Sequence, residues 1–120
     1  MRLKMGDLPM IVLHGLKACD TCRKALKLLS LQGHDVRLRD LRDDPVTRAE
    51  VADWHDALGD TMLNTRSMTW RGLPEEVRAG DFVTLMVAHP ALIKRPVVDT
   101  DTTLHLGWTQ ATRAALGLTD

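Results

Sequence analysis

The segment from Met10 to Leu41 constrains the fold more than any other part of this chain. Met10–His14 is a short apolar run followed by a glycine, which suits a buried strand. A helix follows and stops at Gly33, and its apolar face is formed at positions i, i+3, i+4 and i+7 by Cys22, Ala25, Leu26 and Leu29. Val36–Leu41 alternates and indicates a second strand. A strand, a helix and a strand with short joints predict a βαβ unit with parallel pairing and a right-handed crossover.

A capping box opens the next predicted helix. Thr47 and Glu50 form the T-x-x-E pattern, and Val46 stands at the hydrophobic-staple position before it. The other staple residue, the rest of the buried stripe and the terminating glycine follow in order as Val51, Trp54, Leu58 and Gly59.

Two shorter helices are predicted after a loop that covers Leu63–Arg71. Pro74 opens the first of them with an acidic first turn. Asp81 is the expected N-cap of the second, which runs through Ala88 and is ended by His89–Pro90.

In the last third of the chain, the sequence pattern changes from that of helices to that of strands. Pro96–Asp99 and Thr103–Leu106 flank a turn-forming segment and predict a hairpin, after which Thr109 caps a final helix that ends at Gly117. The order βαβ, helical insert, ββα indicates the α/β class. We expect a thioredoxin-like fold with a helical insertion and a mixed sheet of about four strands. One domain should span residues 1–120, with residues 1–9 as a frayed leader.

Composition excludes several classes of function. The 120 residues suit one domain, and 16 Lys+Arg against 16 Asp+Glu give no long-range field to attract nucleic acid or an anionic membrane. No apolar run reaches the ~18 residues of a membrane span. We therefore expect a cytoplasmic protein, in which the 2 cysteines serve metal binding or redox chemistry rather than a disulfide scaffold.

The motif Cys19-Asp-Thr-Cys22 lies at the predicted strand-to-helix junction. A helix start offers unpaired backbone N–H groups and a partial positive charge, and both stabilise a thiolate. Positions i and i+3 share a helical face, so the two sulfurs are placed to form a disulfide. Lys17 adds a nearby positive charge. The pattern indicates redox or nucleophilic use of the cysteines.

Two other interpretations of the cysteines stay open. CxxC is also half of a zinc site, but zinc needs two further ligands, and the histidines at positions 14, 34, 55, 89 and 105 are scattered. We therefore expect no bound metal. The second interpretation is that both thiols are inert groups that only pack in the core.

Two basic clusters support a reactive site. Asn64-Thr-Arg66 lies in the loop between helices, and Arg95 precedes Pro96 at the start of a strand. Arginine binds oxyanions and carboxylates through a planar fork. A proline at the entry of a strand that faces the cysteine is where thioredoxin folds keep a cis bond.

These motifs, taken in order, resemble the arsenate-reductase-related (ArsC/Spx/YffB) family. The resemblance covers nearly the whole chain, from about Met10 to Leu116, and is carried by Gly15–Ala25, Leu63–Arg66, Thr69–Arg71, His89–Pro90, Ile93–Val97 and Leu106–Trp108. Trp70-Arg71 and Lys94-Arg-Pro96 are particularly similar to the YffB-like branch. That branch is regarded as a group of candidate glutathione-dependent thiol reductases.

The resemblance implies roles for individual residues. Cys19 would be the nucleophile that attacks arsenate or a disulfide, and Cys22 or glutathione would resolve the intermediate. Arg66 and Arg95 would bind the anionic substrate or glutathione. The remaining expected substrate-binding residues are Lys17, Asn64 and Pro96. Glutathione would be a co-substrate and glutaredoxin a possible partner, with no cofactor held by the protein.

The sequence departs from the family pattern at three points. Thr103–Gly107 lacks the third arginine of glutaredoxin-coupled arsenate reductases, and Gly15 stands where those enzymes have a histidine. Both differences weaken the arsenate interpretation. Cys22 is absent from arsenate reductases but present in Spx-like regulators. The alternative function is therefore a redox-sensing regulator with a Cys19–Cys22 disulfide switch that contacts RNA polymerase.

Overall fold

The computed structural model describes residues 10–118, and the chain divides into two compact units. One unit contains the described residues up to Arg42 together with those from Arg95 onward, and the other is Asp43–Lys94. The second unit corresponds to the helical insertion expected from the sequence. The predicted frayed leader lies outside the described residues.

The first unit is built on a mixed sheet. Among the described residues the sheet has four strands in the order β2-β1-β3-β4. Strand β1 (Met10–Gly15) pairs in parallel with β2 (Asp35–Asp40), so that Gly15 lies opposite Asp40 at the carboxyl end. The short strands β3 (Val97–Asp99) and β4 (Leu104–Leu106) continue the sheet as an antiparallel hairpin. The predicted βαβ unit and hairpin are both confirmed.

Helix α1 (Asp20–Leu31) packs its apolar face on the sheet. Ala25 and Leu29 are fully buried against Ile11, Leu13 and Val98. The final helix α6 (Gln110–Ala115) begins at the predicted cap, Thr109. This aliphatic core holds α1 against the strand that leads into it.

The second unit consists of helices and short turns. Helix α2 (Arg48–Leu58) carries the predicted capping box, and α4 (Glu75–Arg78) and α5 (Phe82–Ala88) follow with Pro74 and Asp81 at their N-caps. The 3₁₀ turns are Gly59–Met62 and Pro90–Leu92. Val51 and Trp54 are buried as predicted, whereas Leu58 is only half-buried.

The predicted loop over Leu63–Arg71 is wrong in its second half. Met68–Gly72 forms a short helix, α3. The hydroxyl of Ser67 accepts a hydrogen bond from the backbone N–H of Trp70 at 3.1 Å, which caps the helix. Trp70 then packs edge-to-face on Phe82 with ring centroids 6.1 Å apart. Serine capping and this aromatic contact stabilise a turn too short to give a periodic apolar pattern.

Within residues 10–118, no helix combines the length and the apolar character that crossing a membrane requires.

Candidate functional site

Cys19 is the N-cap residue of α1. Its backbone is extended, with φ −79° and ψ 119°, and its carbonyl accepts the first helical hydrogen bond from Arg23 N–H at 3.0 Å. The sulfur therefore lies beside the unpaired N–H groups of the first helical turn. The loop that precedes it is closed by a hydrogen bond from Cys19 N–H to the carbonyl of Leu16 at 3.0 Å.

The environment of Cys19 favours its thiolate. Burial of the sulfur opposes ionisation, but hydrogen bonds from the backbone and the thiol of Cys22, together with a hydrogen bond and the positive charge of Arg95, outweigh it. The pKa of Cys19 is lowered below its ordinary value of 9.0 as a result. A depressed pKa and a half-buried position are the properties of a reactive cysteine.

Cys22 has the opposite character. Its side chain is 0% exposed, and burial raises the pKa of its thiol to about 11. The hydrogen bond to Cys19 and the negative charge of that thiolate act in the same direction, whereas Leu16 N–H and the charge of Arg95 act against it. Cys19 is thus the thiol that ionises more readily, and Cys22 is a protonated thiol next to it. In the structure both cysteines are free.

Gly15 provides the space that Cys22 occupies. A Cβ atom built on Gly15 would overlap the Cys22 sulfur. The position where the resemblance leads us to expect a histidine is therefore filled by a neighbouring thiol. The sequence departs from the arsenate-reductase pattern at positions 15 and 22, and the structure links the two differences, because the Cys22 sulfur fits only where position 15 has no side chain.

Arg95 and Pro96 lie where the motif predicted. The Arg95–Pro96 peptide bond is cis, as thioredoxin folds lead one to expect, and Pro96 is fully buried. The guanidinium of Arg95 reaches the Cys19 sulfur. Its Nε is buried and donates to no hydrogen-bond acceptor among residues 10–118. Arg95 therefore brings a positive charge to the reactive sulfur.

Asn64 and Arg66 belong to the second unit. The Asn64 side-chain oxygen accepts a hydrogen bond from Arg66 N–H at 3.2 Å, and Asn64 N–H donates to the carbonyl of Leu92 at 2.6 Å. These bonds fix the backbone of the segment and leave the Arg66 side chain exposed. Cys19, Cys22, Arg95 and Pro96 come together within the first unit, and substrate binding by Asn64 and Arg66 stays a prediction.

Lys17 is attached to the site through its backbone. Its N–H donates to Asp40 Oδ2 at 2.8 Å, while its side chain is exposed. The expected contribution of its ammonium group stays a prediction. Asp40 was not among the sequence candidates. The available signal was its place at the carboxyl end of the second strand of a βαβ unit, where side chains meet the loop of the neighbouring strand.

Residues 10–118 contain no group of three or more His, Cys, Asp or Glu side chains that is arranged to hold a metal ion.

Comparisons with known proteins agree on one family. The family model described as "ArsC family" matches residues 14–116. The solved structure of the YFFB protein is 32% identical, with a TM-score of 0.80, and the match covers 88% of this chain and 96% of that one. An arsenate reductase (ArsC) related protein from Brucella melitensis is 30% identical, with a TM-score of 0.70, and the match covers 91% and 96% of the two chains.

A regulator is also similar to this chain. The protein named global transcriptional regulator Spx 2 of Bacillus cereus is 24% identical over 107 residues, which are 84% of this chain and 82% of the regulator. These likenesses confirm the resemblance drawn from the motifs and the thioredoxin-like α/β fold. They include both a reductase-related group and a regulatory one.

Proposed function

The chain belongs to the ArsC family, and on that premise we propose that it is a cysteine-dependent reductase whose nucleophile is Cys19. The observation that carries the proposal is the pair of thiols at the start of α1. One thiol has a lowered pKa beside Arg95, and the other is protonated and hydrogen-bonded to the first. A nucleophile with a neighbouring thiol suits the opening and closing of a disulfide.

The proposed reaction has two exchange steps. Cys19 thiolate attacks one sulfur of a disulfide substrate, the substrate S–S bond breaks, and the departing thiolate takes a proton from solvent. A second thiolate, from Cys22 or from glutathione, then attacks the Cys19 sulfur and releases the other half of the substrate as a thiol. The substrate gains two electrons, and Cys19 is left in a disulfide, either with Cys22 or with glutathione. Glutathione, alone or through glutaredoxin, returns the protein to its dithiol form.

Arg95 would bind the anionic part of the substrate. Its positive charge acts on the Cys19 sulfur and the residue is only half-buried, so a glutathione carboxylate or an oxyanion bound at that sulfur would interact with the guanidinium. Asn64, Arg66, Lys17 and Pro96 are proposed as further substrate-binding residues. We favour a disulfide over arsenate because Cys22 occupies the space beside Gly15 and because Thr103–Gly107 lacks the third arginine of the arsenate reductases.

The test compares the two substrates on the same protein. Wild type, Cys19→Ser and Cys22→Ser are assayed with glutathione and a glutathionylated peptide, and separately with arsenate, glutathione and glutaredoxin. We expect release of the peptide thiol by wild type and none by Cys19→Ser. Cys22→Ser should accumulate a Cys19 mixed disulfide visible as added mass. Arsenite formation in place of thiol release would reassign the substrate, and no turnover above Cys19→Ser on either substrate would end the reductase proposal.

A redox-sensing regulator is the second candidate function. The placement of the two thiols supports it, because Cys19 at the N-cap and Cys22 three residues later share one face of α1, where they can form a disulfide. Mass spectrometry of the oxidised protein, with and without glutathione, separates the candidates. An internal Cys19–Cys22 disulfide that persists in glutathione and changes binding to purified RNA polymerase would favour the regulator. A glutathione adduct on Cys19 would favour the reductase.

A further inference from the structure

Asp40 joins the end of β2 to the loop that carries the reactive cysteine. Its carboxylate accepts hydrogen bonds from Lys17 N–H and Arg42 N–H, both at 2.8 Å, and the residue is only 9% exposed. The bond to Arg42 is local and forms wherever an aspartate closes such a turn. The bond to Lys17 joins residues 23 positions apart, so it depends on the tertiary fold.

The bond to Lys17 completes the attachment of the loop. Gly15 is already held by β2, because its carbonyl accepts from Leu41 N–H at 2.9 Å. Beyond Gly15 the strand pairing ends, and the Asp40 carboxylate takes the N–H two residues later. Leu16 lies between these two attachments and contacts both cysteines through its backbone. Its carbonyl accepts from Cys19 N–H, and its N–H donates to the Cys22 sulfur.

We propose that Asp40 is a positioning residue that sets the reactivity of Cys19 by fixing the backbone of residues 16–18. Without the carboxylate, Lys17 N–H has no acceptor, Leu16 moves, and the two sulfurs lose the alignment by which Cys22 stabilises the Cys19 thiolate. The inference builds on the proposed function, since it explains how the nucleophile of that reaction is held. It concerns the thiol itself and not the identity of the substrate.

The sign of the effect distinguishes positioning from direct electrostatics. Replacing Asp40 by asparagine removes a negative charge near a thiolate, and charge alone would lower the pKa of Cys19. Positioning predicts the reverse. Asparagine has one acceptor oxygen where aspartate has two, and its NH₂ group cannot accept from a backbone N–H. One oxygen then serves two N–H donors, and the local bond to Arg42 N–H is the one that we expect to persist. Lys17 N–H loses its bond to residue 40, and the pKa of Cys19 rises.

The experiment measures Cys19 directly. The rate of alkylation of Cys19 by iodoacetamide is followed by peptide mass spectrometry from pH 5 to 10 in wild type, Asp40→Asn and the control Asp35→Asn. Cys22 is retained because its thiol is part of the proposed alignment, and its buried position keeps it from competing for the reagent. Asp35 is an exposed carboxylate on the same strand, about 16 Å from Asp40 at its other end. We expect Asp40→Asn to raise the apparent pKa and to lower the rate at pH 7 by about threefold to tenfold. Asp35→Asn should match wild type.

A second measurement separates positioning from general loss of structure. Amide hydrogen exchange by NMR should show faster exchange at Lys17 in Asp40→Asn and unchanged exchange at Leu13 and Leu29. An unchanged or lowered pKa of Cys19 overturns the proposal, as does a Lys17 amide that stays protected. If Asp40→Asn does not fold, Asp40→Glu supplies the same test, because it keeps the charge and moves both oxygens by one methylene. Alkylation needs no turnover, so the outcome stands even if the reductase proposal fails.

Discussion

The Cys22 sulfur fills the space beside the α-carbon of Gly15. Cys22 is fully buried, and its sulfur lies where a side chain at position 15 would begin. The backbone of Gly15 is not in the left-handed region, so glycine is required there for space alone. The position of the second thiol next to Cys19 therefore depends on the absence of a side chain at position 15.

The predicted change is Gly15→Ala. Because the new methyl group overlaps the Cys22 sulfur, unfolding free energy should fall by about 1–3 kcal/mol. In a Cys22→Ala background the sulfur is gone, and most of that loss should disappear. Urea unfolding of the four proteins gives the coupling as a double-mutant cycle. Gly72→Ala is the matched control, since nothing lies within 4 Å of its added Cβ. Additive effects at positions 15 and 22 would contradict the packing argument.

Arg95 provides a second residue-scale prediction, on pH dependence. Its charge and hydrogen bond lower the pKa of Cys19, so Arg95→Gln should raise that pKa and slow alkylation at pH 7 by about threefold to tenfold. At a pH well above the pKa of both proteins the rates should converge. Arg23→Gln is the control, because the Arg23 side chain is 61% exposed and lies 3.7 Å from Asp20. Equal pH profiles for wild type and Arg95→Gln would remove Arg95 from the activation of Cys19.

At the scale of elements, α2 depends on its capping box. Thr47 Oγ1 accepts from Glu50 N–H at 3.1 Å, and Glu50 Oε1 accepts from Thr47 N–H at 3.0 Å. Thr47→Ala leaves the Glu50 N–H without its partner and should cost about 1 kcal/mol of unfolding free energy. Thr47→Ser keeps the hydroxyl and should cost much less. Urea denaturation measures both, and an equal loss in the two variants would mean that the hydroxyl is not the cause.

The helices and strands that could be predicted are those whose signals lie in residues close together in the chain. The capping box of Thr47, the strand that begins at Met10 and the helix that follows Cys19 all depend on residues close together in the chain. Helix α3 was missed because it is a single turn capped by Ser67 and stabilised by contacts of Trp70 with distant residues. Arg78 lies 5.9 Å from the Trp70 ring centroid and adds a cation–π contact that no local pattern reveals.

The residues of the site also divide into those that local sequence predicts and those that depend on distant contacts. Cys19, Cys22 and Arg95 follow from motifs, because a CxxC at a helix start and an Arg-Pro before a strand have chemical meaning in themselves. Asp40 does not, since it acts on Lys17, 23 residues earlier in the chain, through a backbone bond set by the β1–β2 register. The space beside Gly15 is equally invisible in sequence. Residue types can be predicted locally, whereas what each touches depends on the register and packing of the sheet.

For the whole molecule, the balance of 16 Lys+Arg against 16 Asp+Glu means that anion binding must be local. The surroundings of Cys19 are the candidate for such a place. A helix start, Cys22 and Arg95 act together on one sulfur, while a buried carboxylate holds the loop beside it. The two thiols then influence the stability of the fold in opposite directions, because the pKa of Cys19 is lowered in the folded state and that of Cys22 is raised.

The final prediction concerns Cys22 and the stability of the folded chain at high pH. Its thiol has a pKa of about 11 when folded against an ordinary value of 9.0, so the unfolded chain releases this proton first as pH rises. The stabilising contribution is fully present below pH 9 and is lost as pH rises from 9 to 11, which amounts to about 1 kcal/mol at pH 10.

Cys19 must be removed for this test, because its lowered pKa contributes in the opposite direction. Burial, the largest cause of the raised pKa of Cys22, remains in Cys19→Ser. Unfolding free energies of Cys19→Ser and of Cys19→Ser with Cys22→Ala are therefore measured in urea with reductant at pH 8 and pH 10. The first protein should lose about 1 kcal/mol more than the second over this range. Equal losses would mean that the Cys22 thiol ionises as readily in the folded chain as in the unfolded one. The description of Cys22 as a thiol that stays protonated beside Cys19 would then be wrong.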